Sequence, residues 1–168
     1  MVINLYAVSK LLGPSLIAVG ITGLIPTIYA LFTHTDGAFS FVAMTVISLV
    51  AGKILSMIGK RAGNYSVSIR ELFLFTASLW TLIAVISAIP IYFLLPDVDY
   101  AGAVFETASA LSTTGATAIN ALDTRPDAIL LWRSMLHLLG GIGFVVIAVA
   151  VLPQVAMGGM NIFKTENT

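Results

Sequence analysis

One stretch of the sequence decides the fold: residues Tyr100–Thr117, which read YAGAVFETASALSTTGAT. Its first part, Tyr100–Leu111, is an apolar-leaning run of about a dozen residues, and at about 1.5 Å per helical residue it spans roughly 18 Å. That length is about half of a bilayer, so the run cannot cross and is either interfacial or re-entrant. Ser112–Thr117 follows it and lacks helical character, because threonine and glycine are poor helix formers and Gly115 readily adopts a positive φ.

The rest of the chain is composed like a membrane protein. Hydrophobic residues make up 58% of it and charged residues 10%, whereas a soluble domain carries about 25% charged residues. A bilayer core needs roughly 20 apolar residues of helix, and the stretches of this length are Leu11–Phe32, Phe39–Ile58, Leu72–Leu95 and Ala128–Leu152. The net charge of zero gives no indication of a nucleic-acid partner. The absence of cysteine excludes disulfides and thiolate metal sites.

The charged residues outside these stretches predict the orientation of the chain. Lysine and arginine favour the cytoplasmic side, which assigns to the cytoplasm the segments that carry Lys10, Lys60, Arg61, Arg70 and Lys164. The opposite side then holds Asp36, Asp97, Asp99, Asp123 and Asp127, with Arg125 as an exception. Both termini are therefore predicted to be cytoplasmic. Tyr100–Thr117 then has to enter from outside and leave to outside, which is the geometry of a pore loop.

Such a loop suits a cation. Non-helical backbone at membrane depth is tolerated only where it is buried in protein or lines water. An extended strand after a half-helix presents backbone carbonyls, and rings of carbonyls can replace the hydration shell of a potassium ion. The carboxyl end of the half-helix is partially negative and also favours a cation. From the residues alone, the alternative is an ordinary extracellular turn rich in threonine and glycine.

A family resemblance joins this stretch to its surroundings. Residues 105–117, FETASALSTTGAT, resemble the first pore region of the Trk/Ktr/HKT potassium-transporter superfamily, in particular its bacterial TrkH/TrkG branch. The likeness continues through LLWRSM at 130–135, LGGIG at 139–143, VLP at 151–153 and GGM at 158–160. These motifs occur in order at the expected distances. The two helices before the pore unit also fit, since this branch carries an extra N-terminal pair, so the resemblance covers nearly the whole chain.

The resemblance implies a fold and a site. The fold is an all-α membrane protein in which a transmembrane helix pair, residues 1–62, precedes one helix–pore loop–helix unit, residues 63–168. Within the unit, the first helix is expected at about 70–95, the pore helix at about 100–112, the filter at 113–117 and the second helix at about 127–154. The filter residues would be Thr113, Thr114, Gly115 and Ala116, which would bind potassium through their carbonyls, with Thr117 at the outer mouth.

The resemblance also implies an activity, partners and a location. The chain would transport potassium in the bacterial inner membrane as a pore-forming part of a Trk-type uptake system, without a bound cofactor, and would meet a cytoplasmic nucleotide-binding regulatory subunit. Family members carry four pore units on one chain, whereas this sequence holds one. We therefore expect a fragment or truncated product, and an assembling subunit is the alternative. The competing functions are a non-conducting membrane interaction protein and a secondary transporter with a broken helix.

Two ionisable residues near the loop are candidates for structural support. Glu106 lies in the half-helix, where an unpaired carboxylate is costly, and Arg133 is the nearest cation by depth. Their pairing would brace the pore helix, and the alternative is that each reaches interfacial water separately. His137 shares a helix face with Arg133 and is interpreted as a packing or hydrogen-bonding residue, with a metal ligand as the alternative. The glycines at 140, 141 and 143 are interpreted as points of close helix approach, with flexing of the helix as the alternative. No set of residues indicates catalysis, so we expect no enzymatic activity.

Overall fold

The structure is a computed structural model that describes residues 3–165, with side chains described for residues 3–146, 148 and 149. Within that range the protein is all-helical, as the sequence predicted. Its α-helices are α1 (Leu5–Phe32), α2 (Phe39–Gly59), α3 (Ile69–Leu94), α4 (Tyr100–Leu111) and α5 (Asp127–Thr165). In the described part, all of these except α4 are long and apolar enough to cross a membrane. Short 3₁₀ helices, Lys60–Ala62 and Leu122–Thr124, lie in two of the connections.

Helices α1 and α2 form a closely packed pair. Small residues along the contact let the backbones approach, and a Cβ added to Gly52 would lie 2.8 Å from the carbonyl oxygen of Gly13. Nearer the carboxyl end of α1, the buried Thr27 hydroxyl lies 3.0 Å from the Thr45 hydroxyl of α2. Packing through small residues and interhelical hydroxyls is typical of helices in lipid, where apolar surface alone does not drive association.

The start of α3 is tied to the start of α1 by the Glu71 carboxylate, which is 1% exposed. It accepts hydrogen bonds from the Asn4 backbone N–H at 2.7 Å and from the Ser68 backbone N–H at 2.8 Å. Ser68 and Glu71 form a capping box, in which each side chain bonds to the other residue's backbone N–H. These bonds satisfy helix-end donors and join the helix pair to the rest of the chain.

The short helix α4 enters the fold between α3 and α5. The Thr107 hydroxyl donates to the Ala84 carbonyl of α3 at 2.7 Å. The carboxyl end of α4 lies against α5, where a Cβ added to Gly140 would be 1.7 Å from the Leu111 carbonyl oxygen. Gly140 lies about 20 Å along α5 from its first residue, at about 1.5 Å per residue. The end of α4 is therefore near the middle of a hydrocarbon core of about 30 Å.

The two ends of the re-entrant segment meet on the same side of the molecule. Arg125, which precedes α5, donates to the Asp97 carboxylate, which precedes α4, and one of the two parallel bonds measures 3.0 Å. Arg125 also donates to the Asn120 carbonyl at 2.9 Å. This pairing explains why Arg125 lies among acidic residues on the side of the molecule where the charge pattern predicted no cation.

Two helix bounds differ from those that the sequence predicted. Helix α1 begins at Leu5 rather than Leu11, because the Asn4 side chain caps it by accepting from the backbone N–H groups of Tyr6 and Ala7. Helix α5 continues to Thr165 rather than ending near 154. The extension holds four good helix formers, Ala156, Met157, Met160 and Lys164, beside two glycines, so local propensity alone does not account for its length. The division of the chain at residues 62 and 63 stays a prediction.

Candidate ion-binding hairpin

The residues predicted as a filter form the returning half of a hairpin with α4. The Ser109 carbonyl accepts from the Thr114 backbone N–H at 3.0 Å, and the Ser109 hydroxyl donates to the Ala116 carbonyl at 2.7 Å. Farther back along α4, the Glu106 carboxylate accepts from the Ala118 backbone N–H at 2.8 Å. Ser109 thus bonds to residues 114 and 116, and Glu106, one turn earlier in α4, bonds to residue 118. The strand therefore runs back beside the helix.

The backbone of the hairpin adopts left-handed conformations at alternate residues. Thr113 has φ +58° and Gly115 has φ +77°, while Thr114 and Ala116 do not have positive φ. A threonine in the left-handed region is unusual and is held only where the surroundings fix it. At Gly115 there is room for a side chain, because an added Cβ would meet no atom within 4 Å. Glycine is therefore favoured by the positive φ and not by lack of space. Residues 112–118 are all exposed.

The buried carboxylate of Glu106 holds the strand from behind. Glu106 is 0% exposed, and its Oε2 accepts from the Thr117 hydroxyl at 3.0 Å as well as from Ala118. Its Oε1 accepts from Arg133 Nε of α5, which forms an ion pair with it. A buried carboxylate is tolerated when it is paired and its lone pairs are occupied, and both conditions are met here.

Arg133 reaches from α5 to the back of the same strand. Its Nη2 lies 3.4 Å from the Gly115 carbonyl oxygen and 3.5 Å from the Ala116 carbonyl oxygen. These distances are long for hydrogen bonds, so the guanidinium acts on the two carbonyls mainly through its charge. The paired Glu106 carboxylate balances that charge. His137, one turn along, has Nδ1 2.9 Å from the Arg133 carbonyl oxygen of its own helix, which agrees with its interpretation as a packing or hydrogen-bonding residue.

Ser109 is a site residue that the sequence analysis did not single out. Its side chain is 6% exposed and bonds to the strand through the Ala116 carbonyl. A carbonyl oxygen has two lone pairs, so this bond leaves Ala116 one further acceptor position. Spacing offered a way to find it, because Ser109 follows Glu106 by three residues and so shares its helix face.

The three glycines of α5 differ in their surroundings. Gly140 is the point of close approach to Leu111, whereas a Cβ added to Gly141 would lie 4.0 Å from the Thr113 side chain and one added to Gly143 would meet nothing within 4 Å. Close approach therefore accounts for Gly140 alone among the three.

A bundle of membrane-spanning helices that encloses a re-entrant half-helix and its returning strand defines a pore-loop membrane protein. Residues 37–168 match the TrkH family of cation transport proteins, and the chain belongs to that family.

Individual relatives agree with this assignment. The chain is 35% identical over 161 residues to the Trk system potassium uptake protein TrkH of Salmonella typhimurium, which covers 95% of this chain and 33% of the relative. It is 34% identical over 142 residues to the Trk system potassium uptake protein TrkG of Escherichia coli, covering 84% of this chain and 29% of the relative. The crystal structure of the potassium transporter TrkH from Vibrio parahaemolyticus matches with a TM-score of 0.80 at 32% identity, over 94% of this chain and 34% of that one. The chain thus spans about a third of the length of these relatives.

Proposed function

We propose that this protein contributes one wall of a potassium-conducting pore in the bacterial inner membrane, and that residues 113–117 are its filter strand. The observation that carries the proposal is the hairpin: an irregular strand follows a half-helix too short to cross a bilayer, is held by α4 and α5, and is exposed over residues 112–118. The relatives that the chain matches are potassium uptake proteins, which favours potassium as the transported ion.

The ligands in this proposal are main-chain oxygens. Left-handed φ at Thr113 and Gly115 rotates alternate peptide planes relative to a regular strand, in which successive groups face opposite sides. Carbonyls at Thr113, Thr114 and Gly115 would take the larger share of the ion contacts. Ala116 would contribute its one remaining lone pair, and Thr117 would line the outer mouth.

The charges behind the strand set the local field. An uncompensated guanidinium 3.4 Å from the Gly115 carbonyl would repel a cation that the same carbonyl binds. Glu106 neutralises Arg133 and also positions Thr117 and Ala118, so the pair would serve both the shape and the electrostatics of the filter.

Orientation and partners follow from the charge pattern and the family. The termini would be cytoplasmic, which places the joined ends of the hairpin, at Asp97 and Arg125, outside. Further pore units would close the ring, since one strand reaches an ion from one side. A cytoplasmic nucleotide-binding regulatory subunit would meet the inner ends of the helices.

Growth of a potassium-uptake-deficient bacterium on low potassium tests this function. The strain would express the protein with any coding sequence that continues beyond residue 168, and would carry either the unchanged sequence, Gly115→Ser or Gly63→Ser. Gly63 is a matched control, because it also has positive φ (+58°) and open space around it but lies in the loop between α2 and α3.

We expect growth with the unchanged protein and with Gly63→Ser, and loss of growth with Gly115→Ser at equal membrane abundance. Equal loss in both variants would assign the effect to backbone strain and remove the filter from Gly115. Absence of rescue by the unchanged protein would contradict transport and favour a non-conducting membrane interaction protein.

A further inference from the structure

The end of the molecule that carries the start of α1 has an open apolar groove. It has a volume of about 590 Å³ and is lined by Ile3, Asn4, Leu5, Tyr6, Ser9, Ile58 and Tyr65. Large side chains within it are well exposed, with Leu5 at 64% and Tyr6 at 43%. Leu5 and Ala62 are end residues of the two spans at this boundary. The groove therefore lies where hydrocarbon gives way to headgroups.

Cations stand beside this groove in fixed positions. The Arg61 guanidinium lies over the Tyr6 ring, 6.0 Å from its centroid. The Lys10 ammonium donates to the Gly63 carbonyl at 2.7 Å, which leaves two of its three N–H donors for another partner. Close packing holds this turn on α1, since a Cβ added to Gly59 would lie 2.4 Å from the Lys10 Cα. Lys60, next to Arg61, is exposed.

No acidic side chain in the described part of the chain pairs with these cations. Its two ion pairs, Asp97–Arg125 and Glu106–Arg133, are at the hairpin. Glu71 is the nearby carboxylate, but it is buried and both its oxygens are occupied, by Asn4 and Tyr65 on one and by Ser68 on the other. The surface around the groove is thus positively charged and uncompensated.

We propose that this groove binds one phospholipid with an anionic headgroup. Its phosphate would lie between Lys10, Lys60 and Arg61, and an acyl chain would lie along Leu5, Tyr6 and Ile58. Charge complementarity selects an anionic over a zwitterionic lipid, since among residues 3–165 this surface supplies cations and its nearby carboxylate, Glu71, is buried and already paired. The tyrosine rings suit the position, because aromatic side chains favour the level of the headgroups. The site is independent of the filter and would serve to bridge α1 to the turn after α2.

Native mass spectrometry of the purified 168-residue protein in detergent tests this site. The probes are dioleoylphosphatidylglycerol and dioleoylphosphatidylcholine at equal concentrations, with inorganic phosphate as a third arm that lacks an acyl chain. Arg61→Gln removes the cation that lies over the Tyr6 ring, and Lys60→Gln removes its exposed neighbour in the sequence. Arg70→Gln is the matched control, because it removes the same charge from an exposed position on the first turn of α3, outside the turn that follows α2. Circular dichroism verifies that each variant is folded.

We expect phosphatidylglycerol to bind more tightly than phosphatidylcholine. Arg61→Gln and Lys60→Gln should each weaken phosphatidylglycerol about fivefold, from about 1 kcal/mol per cation near the headgroups, while Arg70→Gln leaves it unchanged. Inorganic phosphate should bind weakly and should not displace the lipid, since it lacks the acyl contacts.

Three results would overturn the proposal. Equal binding of the two lipids would mean that the surface does not select a headgroup, as expected if a cytoplasmic protein covers it instead. Equal weakening by Arg61→Gln and Arg70→Gln would mean that only the overall charge matters. Displacement of the lipid by millimolar inorganic phosphate would identify an anion site without a lipid groove. Because Lys60 is exposed, Lys60→Gln keeps the test decisive if Arg61→Gln fails to fold.

Discussion

Replacing Gly140 by alanine tests how the half-helix is seated against α5. The added Cβ would lie 1.7 Å from the Leu111 carbonyl oxygen and 2.6 Å from the Leu111 carbonyl carbon, whereas ordinary van der Waals contact begins at 3.4 Å. The obstructing atoms are backbone, so no side-chain rotation relieves the clash. Helices α4 and α5 would have to separate by more than an ångström, and Leu111 is the last helical residue before the filter strand.

Two opposing effects set the magnitude. Alanine in a helix is favoured over glycine by about 1 kcal/mol. Overpacking a closely fitted contact costs about 1–3 kcal/mol and more where backbone must move. Because the clash is with backbone, we take the upper end of that cost less the helix gain, and expect Gly140→Ala to lower the free energy of unfolding by about 2 kcal/mol. Gly143→Ala, which meets no atom within 4 Å, should leave it unchanged or raise it by up to about 1 kcal/mol.

The measurement is unfolding of the protein in mixed micelles by increasing fractions of dodecyl sulfate, followed by far-ultraviolet circular dichroism. Gly141→Ala is a second control in the same helix, with its nearest neighbour at 4.0 Å. If Gly140→Ala is as stable as Gly143→Ala, the close seating of α4 on α5 is refuted. Low-potassium growth should fall with Gly140→Ala and not with Gly143→Ala, because the displaced Leu111 would move the proposed filter strand that follows it.

Three further predictions concern the hairpin and its outer ends. Glu106→Gln and Arg133→Gln should each destabilise the protein by about 3–5 kcal/mol, because each single change leaves the other charge unpaired. The double variant should be destabilised by clearly less than the sum of the two. An additive double-mutant cycle would rule out coupling between Glu106 and Arg133. Ala121→Gly should stabilise by about 0.5–1 kcal/mol, because Ala121 has φ +50°, and a lower unfolding midpoint would contradict this. The Arg125 guanidinium holds the pKa of the Asp97 carboxyl below its ordinary value. Their pair therefore stabilises the protein above about pH 4, and this contribution is lost as pH falls through the lowered pKa; Asp97→Asn should remove that part of the acid sensitivity in an unfolding series from pH 7 to pH 2.

Much of the fold could be predicted because it depends on length and local pattern. The run at Tyr100–Leu111 is too short to cross a bilayer whatever surrounds it, and α4 has these bounds. The capping box at the start of α3 could also be predicted from the sequence, since Ser68 and Glu71 have the required spacing before an apolar run. What that spacing could not predict is the contact of Glu71 with Asn4, which lies 67 residues away in the sequence.

Part of the site could be predicted because it follows from the cost of a buried charge. A carboxylate at Glu106 needs a partner in the membrane, and Arg133 was the cation at matching depth. The different surroundings of Gly140 and Gly143 could not be predicted from the sequence, because both are glycines in one helix and only Gly140 contacts Leu111. The role of Ser109 likewise depends on where the strand returns, which neither hydropathy nor propensity encodes.

The hairpin has two unlike sides, and this asymmetry is what links the fold to transport. Glu106, Ser109 and Arg133 contact polar groups of the strand, while residues 112–118 remain exposed in this part of the chain. Irregular backbone at membrane depth cannot face lipid, because each unsatisfied polar group there costs several kcal/mol. The exposed strand must therefore face water or other protein. Main-chain oxygens that line water at membrane depth can replace the hydration shell of a cation, which is the reason for our proposal that this strand binds the ion.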